Sequence, residues 1–262
     1  MATLRAKPSF VLLGGAVGVV LIVVLALLIK NPWLVVAIYA GLTLVSYVVA
    51  AVAIGGTVGE LVRGLMIGGN AALNWVLAQS AYSKLFGEST GHAIAIVLGV
   101  LSFLPVFSFL ARNAVFQGLL GYLNWLLPTA WLVVALGLLF FIGNALGALT
   151  FGLAGVAFFK IIGVVFDWRT GTLFSHGGWV SNLNPIDTAY NMGNFAFVDR
   201  ADGNMEIDHE SGHTLNLAAF GSLFHLIGTV EENVINGQNA LSEQLAESHV
   251  PNSTRPMLSM WA

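Results

Sequence analysis

Four long apolar stretches dominate the first 150 residues: Ser9–Ile29, Trp33–Ile54, Ala93–Ala111 and Thr129–Leu149. Each is long enough to cross a hydrocarbon core about 30 Å thick as a helix. Lys30-Asn31-Pro32 forms a tight polar turn between the first two, which predicts a helical hairpin. Ser9–Ile29 is too long for a cleaved signal peptide and lacks a small-residue cleavage site, so it reads as a retained span. Two mixed segments, Gly55–His92 and Asn113–Leu127, read as interfacial helices. The first carries Glu60, Arg63, Lys84 and Glu88; the second carries the aromatic anchors Tyr122 and Trp125. The glycine pairs Gly14/Gly18 and Gly143/Gly147 have the spacing that lets helices approach closely, and Asn144 and Pro105 fall inside spans.

From about residue 157 the pattern shortens. Ile161–Trp168, Arg169-Thr170-Gly171 and Thr172–Ser175 read as a hairpin, although Phe151–Phe166 is apolar enough to raise the alternative of a fifth span. Gly177-Gly178, Asn182, Asn184-Pro185 and Asp187 mark loops. Gly193–Val198 alternates as a strand, Asp202-Gly203-Asn204 turns, and a helix follows from about Met205. Leu215–Val230 is apolar but too short to span. The expected architecture is an α-helical membrane domain, residues 1–150, with four transmembrane helices plus interfacial helices. A small α+β domain, residues 151–262, follows it.

Composition supports this division. Of 262 residues 57% are hydrophobic and 9% charged, with a mean hydropathy of +0.83; a soluble chain carries about 25% charged residues. Residues 1–150 have a net charge of +4 and residues 151–262 of −7. No basic tract exists for nucleic acid. Cysteine is absent, so a metal site must use His, Asp and Glu. Arg5, Lys7, Arg63 and Lys84 outnumber Lys30 and Arg112, which places the amino terminus in the cytoplasm. With four spans the acidic domain lies there too, in a cell membrane such as a bacterial inner membrane. The sequon Asn252-Ser253-Thr254 is then without meaning.

The chemistry concentrates in His209-Glu210-Ser211-Gly212-His213, an HExxH pattern. On a helix, positions i and i+4 share a face, so both imidazoles reach one metal ion. Glu210 stands beside them, placed to accept a proton from an attacking water. A hydrolytic zinc site also needs a third protein ligand and an open position.

Strand, turn, HExxH helix and a later glutamate-bearing helix resemble the gluzincin metallopeptidases, membrane-bound members included, over about residues 193–249. That resemblance implies a zincin-like fold for the second domain and a Zn²⁺ cofactor. In several such families the third ligand opens a Glu-x-x-Ala-Asp motif. Glu243-Gln244-Leu245-Ala246-Glu247 matches it except for its final Glu. The resemblance therefore implies Glu243 as third ligand and Glu247 as hydrogen-bond partner of a ligand histidine, with Ala246 allowing close helix approach. Glu232, 18 residues beyond His213, matches the spacing of another gluzincin group and remains an alternative; His225, Glu247 and His249 are weaker ones. Asn216 and Ala219 stand where metzincins need Gly and His, which excludes that family.

The resemblance also implies that Gly193–Val198 is an edge strand able to bind extended peptide. Phe195 and Phe197 are core candidates, His225 a packed histidine, and His176, Tyr190 and His249 candidates for oxyanion stabilisation. The expected function is a membrane zinc metallopeptidase acting on peptide or protein substrates, with a non-catalytic zinc-containing subunit of a membrane complex as the alternative. Intramembrane proteolysis would need the motif within the bilayer, and the polar lead-in Asp202–Asp208 argues against it.

Overall fold

The computed structural model describes residues 8–29, 31–183, 189–198 and 203–261. Helices α1 (Pro8–Leu28) and α2 (Pro32–Val52) form the expected hairpin. The Asn31 side chain caps α2 by accepting from the N–H groups of Trp33 and Leu34, and Pro32 pre-sets the first helical turn.

The next segment corrects the four-span count. Instead of interfacial pieces, residues 57–86 form one 30-residue helix, α3 (Thr57–Phe86). Five helices among the described residues are long and apolar enough to cross a membrane, α3 among them. Its hydropathy is low because its polar groups Glu60, Arg63, Asn70 and Asn74 are buried against other helices. Gly14 and Gly18 of α1 lie so close to the α3 backbone at Leu61, Leu65 and Gly69, and Gly64 and Gly68 of α3 to the α1 backbone at Val11 and Gly15, that added Cβ atoms would collide with it.

Helix α4 (Glu88–Phe103) ends in a 3₁₀ turn at Leu104–Val106, so Pro105 terminates the helix, and the expected span to Ala111 is completed by the short α5 (Ser108–Ala111). Helix α6 (Ala114–Leu123) buries Phe116, Gln117 and Leu120 on one face and leaves Val115, Leu119 and Tyr122 exposed on the other. Helix α7 (Trp131–Gly147) uses Gly143 and Gly147 to seat the Trp179 indole, whose Nε1 donates to Gly143 O at 2.9 Å.

A four-stranded sheet follows α7, in the order β1-β2-β4-β3. Strands β1 (Ile161–Asp167) and β2 (Thr172–Gly177) form the expected hairpin. After α8 (Trp179–Leu183), β3 (Ala189–Met192) and β4 (Phe195–Val198) form a second hairpin around Gly193-Asn194. Strand β4 also pairs parallel with β2. Asn144 of α7 fastens the sheet, donating to Ser175 Oγ and Gly177 O and accepting from Val180 N. The loop positions Asn184-Pro185, Asp187 and Asp202 lie outside the described residues.

The long helix α9 (Gly203–Glu231) is broken at Gly221, whose φ of 82° only glycine adopts readily. The break is stitched by polar groups of α3 and of the loop that precedes α7. Asn70 Nδ2 donates to the carbonyls of Ala218 and Ala219, Ser222 N donates to Thr129 O, and Thr129 is held by Asn74 Oδ1. Irregular backbone inside an apolar bundle survives only when its polar groups are satisfied in this way.

The break folds α9 into a V. Helix α10 (Leu241–Glu247) lies across both arms: Gly212 approaches Ala246, and Gly228 approaches Ser242 one turn earlier. The second arm runs beside α2, from Tyr39 near Phe220 to Tyr47, whose hydroxyl donates to Glu231 at 2.5 Å. The apex therefore sits against the middle of α3, at Asn70, and the second arm returns toward the end where α2 finishes and α3 begins. A single hydrophobic cluster containing Val11, Ile67, Leu120, Phe197, Leu217, Phe224 and Trp261 joins the helices to the carboxy-terminal part.

Candidate metal centre

The first arm of α9 carries His209, Glu210 and His213, and α10 presents Glu243 to them. His209 Nε2 and His213 Nε2 are 3.2 Å apart; Glu243 Oε2 is 3.0 Å from the former and Glu243 Oε1 2.9 Å from the latter. Ligands about 2.0–2.1 Å from a shared tetrahedral centre stand about 3.3 Å from one another. The three donors thus fit a zinc ion, and their all-imidazole and carboxylate chemistry suits it. His209, His213 and Glu243 together could hold one metal ion, and they border the cleft.

Close helix packing makes this convergence possible. A Cβ on Gly212 would lie 2.4 Å from Ala246 O and 2.8 Å from Ala246 Cα. With glycine there, α10 can lie against α9, and Glu243, one turn before Ala246, reaches the histidines. The amino-terminal end of α10 is fixed by Glu231, which accepts from Leu241 N at 3.0 Å and from Asn236 Nδ2 at 2.6 Å as well as from Tyr47.

Around the cluster, His209 Nδ1 bonds Glu247 Oε2 at 2.7 Å. Glu247 in turn accepts from Ser253 Oγ and lies 3.9 Å from Arg255. Burial penalises a charged His209, but hydrogen bonds to Glu243 and Glu247 outweigh it and hold its pKa well above the usual value. Burial likewise opposes ionisation of Glu243 and Glu247, yet the facing histidines hold both carboxyls below their normal range. Beneath α9, Ser211 Oγ donates to Asp167 Oδ2, and Arg169 bridges Asp167 and Asp208 at 2.9 and 2.6 Å, pinning the β1–β2 turn to the helix.

A cleft of about 150 Å³ opens over the ligands. Its walls include Glu210, the whole of β3, Val133 and Leu136 of α7, and His225 and Leu226 of the second arm. Glu232 lies on its wall, outside the cluster formed by His209, His213 and Glu243. The edge strand here is β3, not Gly193–Val198: β4 is paired on both sides and has no free backbone. His225, expected as a packed core histidine and a weaker third-ligand alternative, lies outside the His209–His213–Glu243 cluster; it lines the cleft and bonds Asn191 O of β3 through Nε2 at 2.8 Å. Burial, reinforced by nearby His213, pushes its pKa down to about 4.

The three oxyanion candidates are placed elsewhere. Tyr190 borders the cleft but its hydroxyl donates to Val180 O. His249 Nδ1 bonds Asp208 O, and His176 is buried on β2; neither lines the cleft. Asn191 was not legible from sequence: its side chain donates to Glu210 O at 2.9 Å and to Thr214 Oγ1, tying the edge strand to the histidine helix. No protein-family model matches the chain, and no curated protein and no solved structure shows significant similarity to it.

Proposed function

We propose that this chain is a membrane-integral zinc peptidase. The observation that carries the reading is the convergence of His209, His213 and Glu243 beside buried Glu210, in a cleft whose far wall is the unpaired edge of a strand. Zinc, when bound, polarises a carbonyl and acidifies water. Glu210 takes the proton of the attacking water and returns it to the departing amine. Glu247 orients His209 through Nδ1, and Asn191 keeps β3 in register with the helix that carries Glu210. In an antiparallel pair a residue's N–H and C=O point the same way. Because Asn191 O turns from β4 to His225, the N–H of Asn191 faces the cleft as well, ready to pair with an extended substrate.

Orientation follows from charge. Val11, Arg63, Val106 and Ala111 line one small cavity, so the start of α1, the start of α3 and the end of α4 share one end of the bundle. Arg63 and Arg112 belong to that end and Lys84 to the other; in the sequence Arg5 and Lys7 precede α1, and Lys30 falls between α1 and α2. The excess assigns that end to the cytoplasm. The second arm of α9 returns to it, which makes the site cytoplasm-facing without the four-span parity.

Glu210→Gln tests the reading. It keeps size and reach but removes the base, so zinc content and folding should stay near normal while cleavage of an extended peptide falls about 10²–10⁴-fold. His213→Ala should lose the metal itself. If Glu210→Gln retains the wild-type cellular phenotype where His213→Ala is null, the peptidase reading fails and a structural zinc site takes its place.

A further inference from the structure

The cleft has an apolar side as well as a polar floor. The second arm of α9 puts His225, Leu226 and Thr229 on the cleft wall, and Glu232, just past its end, joins them. One strip further round, Leu226 and Val230, a turn apart on α9, are 38% and 58% exposed, and Val234, in the π-helical turn Glu232–Asn236 that follows, is 75% exposed. Opposite, α7, itself apolar and long enough to span, lends Val133 and Leu136 to the cleft and exposes Leu132 and Leu139 beside them. Water-facing lips would be polar; these match the outer surface of the spanning helices.

Resting on the peptidase reading, we propose that the substrate is a membrane-anchored polypeptide whose extended segment reaches the site sideways from the bilayer, between α7 and the second arm of α9, and lies along the free edge of β3. Three observations fix this occupant. The lips are continuous with helices suited to hydrocarbon. The floor is a strand edge, which recognises extended backbone rather than helix. The cavity, about 150 Å³, has room for an extended segment lying along β3. A spanning substrate must therefore present an unwound stretch at the depth of the V, whose apex lies against mid-α3.

The chain has no cysteine, so Val230→Cys carries a unique thiol at the lip, and Val115→Cys, 83% exposed on α6, serves as control. Protein in phosphatidylcholine/phosphatidylglycerol vesicles receives two quenched-fluorescence substrates with the same mixed-sequence extended region, one soluble and one fused to a single transmembrane span. A bulky maleimide at Val230→Cys should lower the ratio of anchored to soluble cleavage at least tenfold; at Val115→Cys it should leave that ratio alone. An unchanged ratio at Val230→Cys, or equal loss of both activities, overturns the proposal. A second arm places a benzophenone at Val230→Cys in Glu210→Gln protein. An adduct with the anchored substrate but not the soluble one supports sideways access even if the parent protein cleaves neither, in which case only the peptidase reading falls. No adduct with the anchored substrate overturns sideways access even if soluble peptide is cleaved.

Discussion

Gly212→Ala is the smallest change that tests how the site is assembled. The added methyl would sit 2.4 Å from Ala246 O and 2.8 Å from Ala246 Cα, about 1 Å inside ordinary contact, and both obstacles are backbone. No rotamer relieves the clash, so α10 must move away from α9. Overpacking of this kind costs about 1–3 kcal/mol. Glu243 rides on α10 one turn from Ala246, and its carboxylate oxygens stand only 2.9–3.0 Å from the two imidazoles. If the strain is released by displacing α10, it appears as lost zinc affinity, about 5- to 150-fold. Chelator competition measures that affinity, and thermal unfolding with and without zinc separates metal loss from general destabilisation. Gly41→Ala in α2 is the matched control: nothing lies within 4 Å of its added methyl, and Ala should stabilise the helix by up to about 1 kcal/mol. Wild-type zinc affinity and melting temperature in Gly212→Ala would refute the claim that this contact positions Glu243.

Other outcomes follow from single contacts. Glu247→Gln should weaken zinc binding about 10–100-fold by disturbing the His209 Nδ1 contact, less than Glu243→Ala in the same competition; equal losses would mean that Glu247 is itself a ligand. Asn70→Leu strips the donors from the Ala218 and Ala219 carbonyls at the break in α9, so unfolding in detergent should show a loss of at least about 2 kcal/mol; no loss would mean that the break is held otherwise. His225 is neutral when folded, with burial holding its pKa near about 4, whereas unfolded it takes up a proton below about 6.5. Its contribution is therefore present above about pH 6.5 and lost as pH falls toward 4. Against His225→Phe, the wild type should show an extra stability slope approaching about 1.4 kcal/mol per pH unit in that window, and parallel pH profiles would contradict it.

The sequence alone determined the features that depend on local pattern. Apolar runs of about 20 residues can only be satisfied as helices in an apolar medium, so α1, α2 and α7 were legible. The β1–β2 hairpin followed from its glycine turn, and the i, i+4 spacing of His209 and His213 fixed their shared face whatever else the chain does. Tertiary structure decided what depends on distant partners. Residues 57–86 read as mixed because they carry Glu60, Arg63, Asn70 and Asn74; all four are buried in the fold, with Asn70 bonded to α9 and Asn74 to Thr129, which hydropathy along one strip of chain cannot register. The break at Gly221 was hidden for the same reason: the groups that hold it are the Asn70 side chain and the Thr129 carbonyl, with Asn74 fixing Thr129. Glu243 and Glu232 were both open as third ligand, since spacing measures contour and not approach. The contact of Gly212 with Ala246 brings Glu243 to the imidazoles and leaves Glu232 on the cleft wall. Likewise an alternating strand announces itself in sequence, but whether its edge is free depends on its neighbours, and here the free edge belongs to β3 because β4 is hydrogen-bonded on both sides.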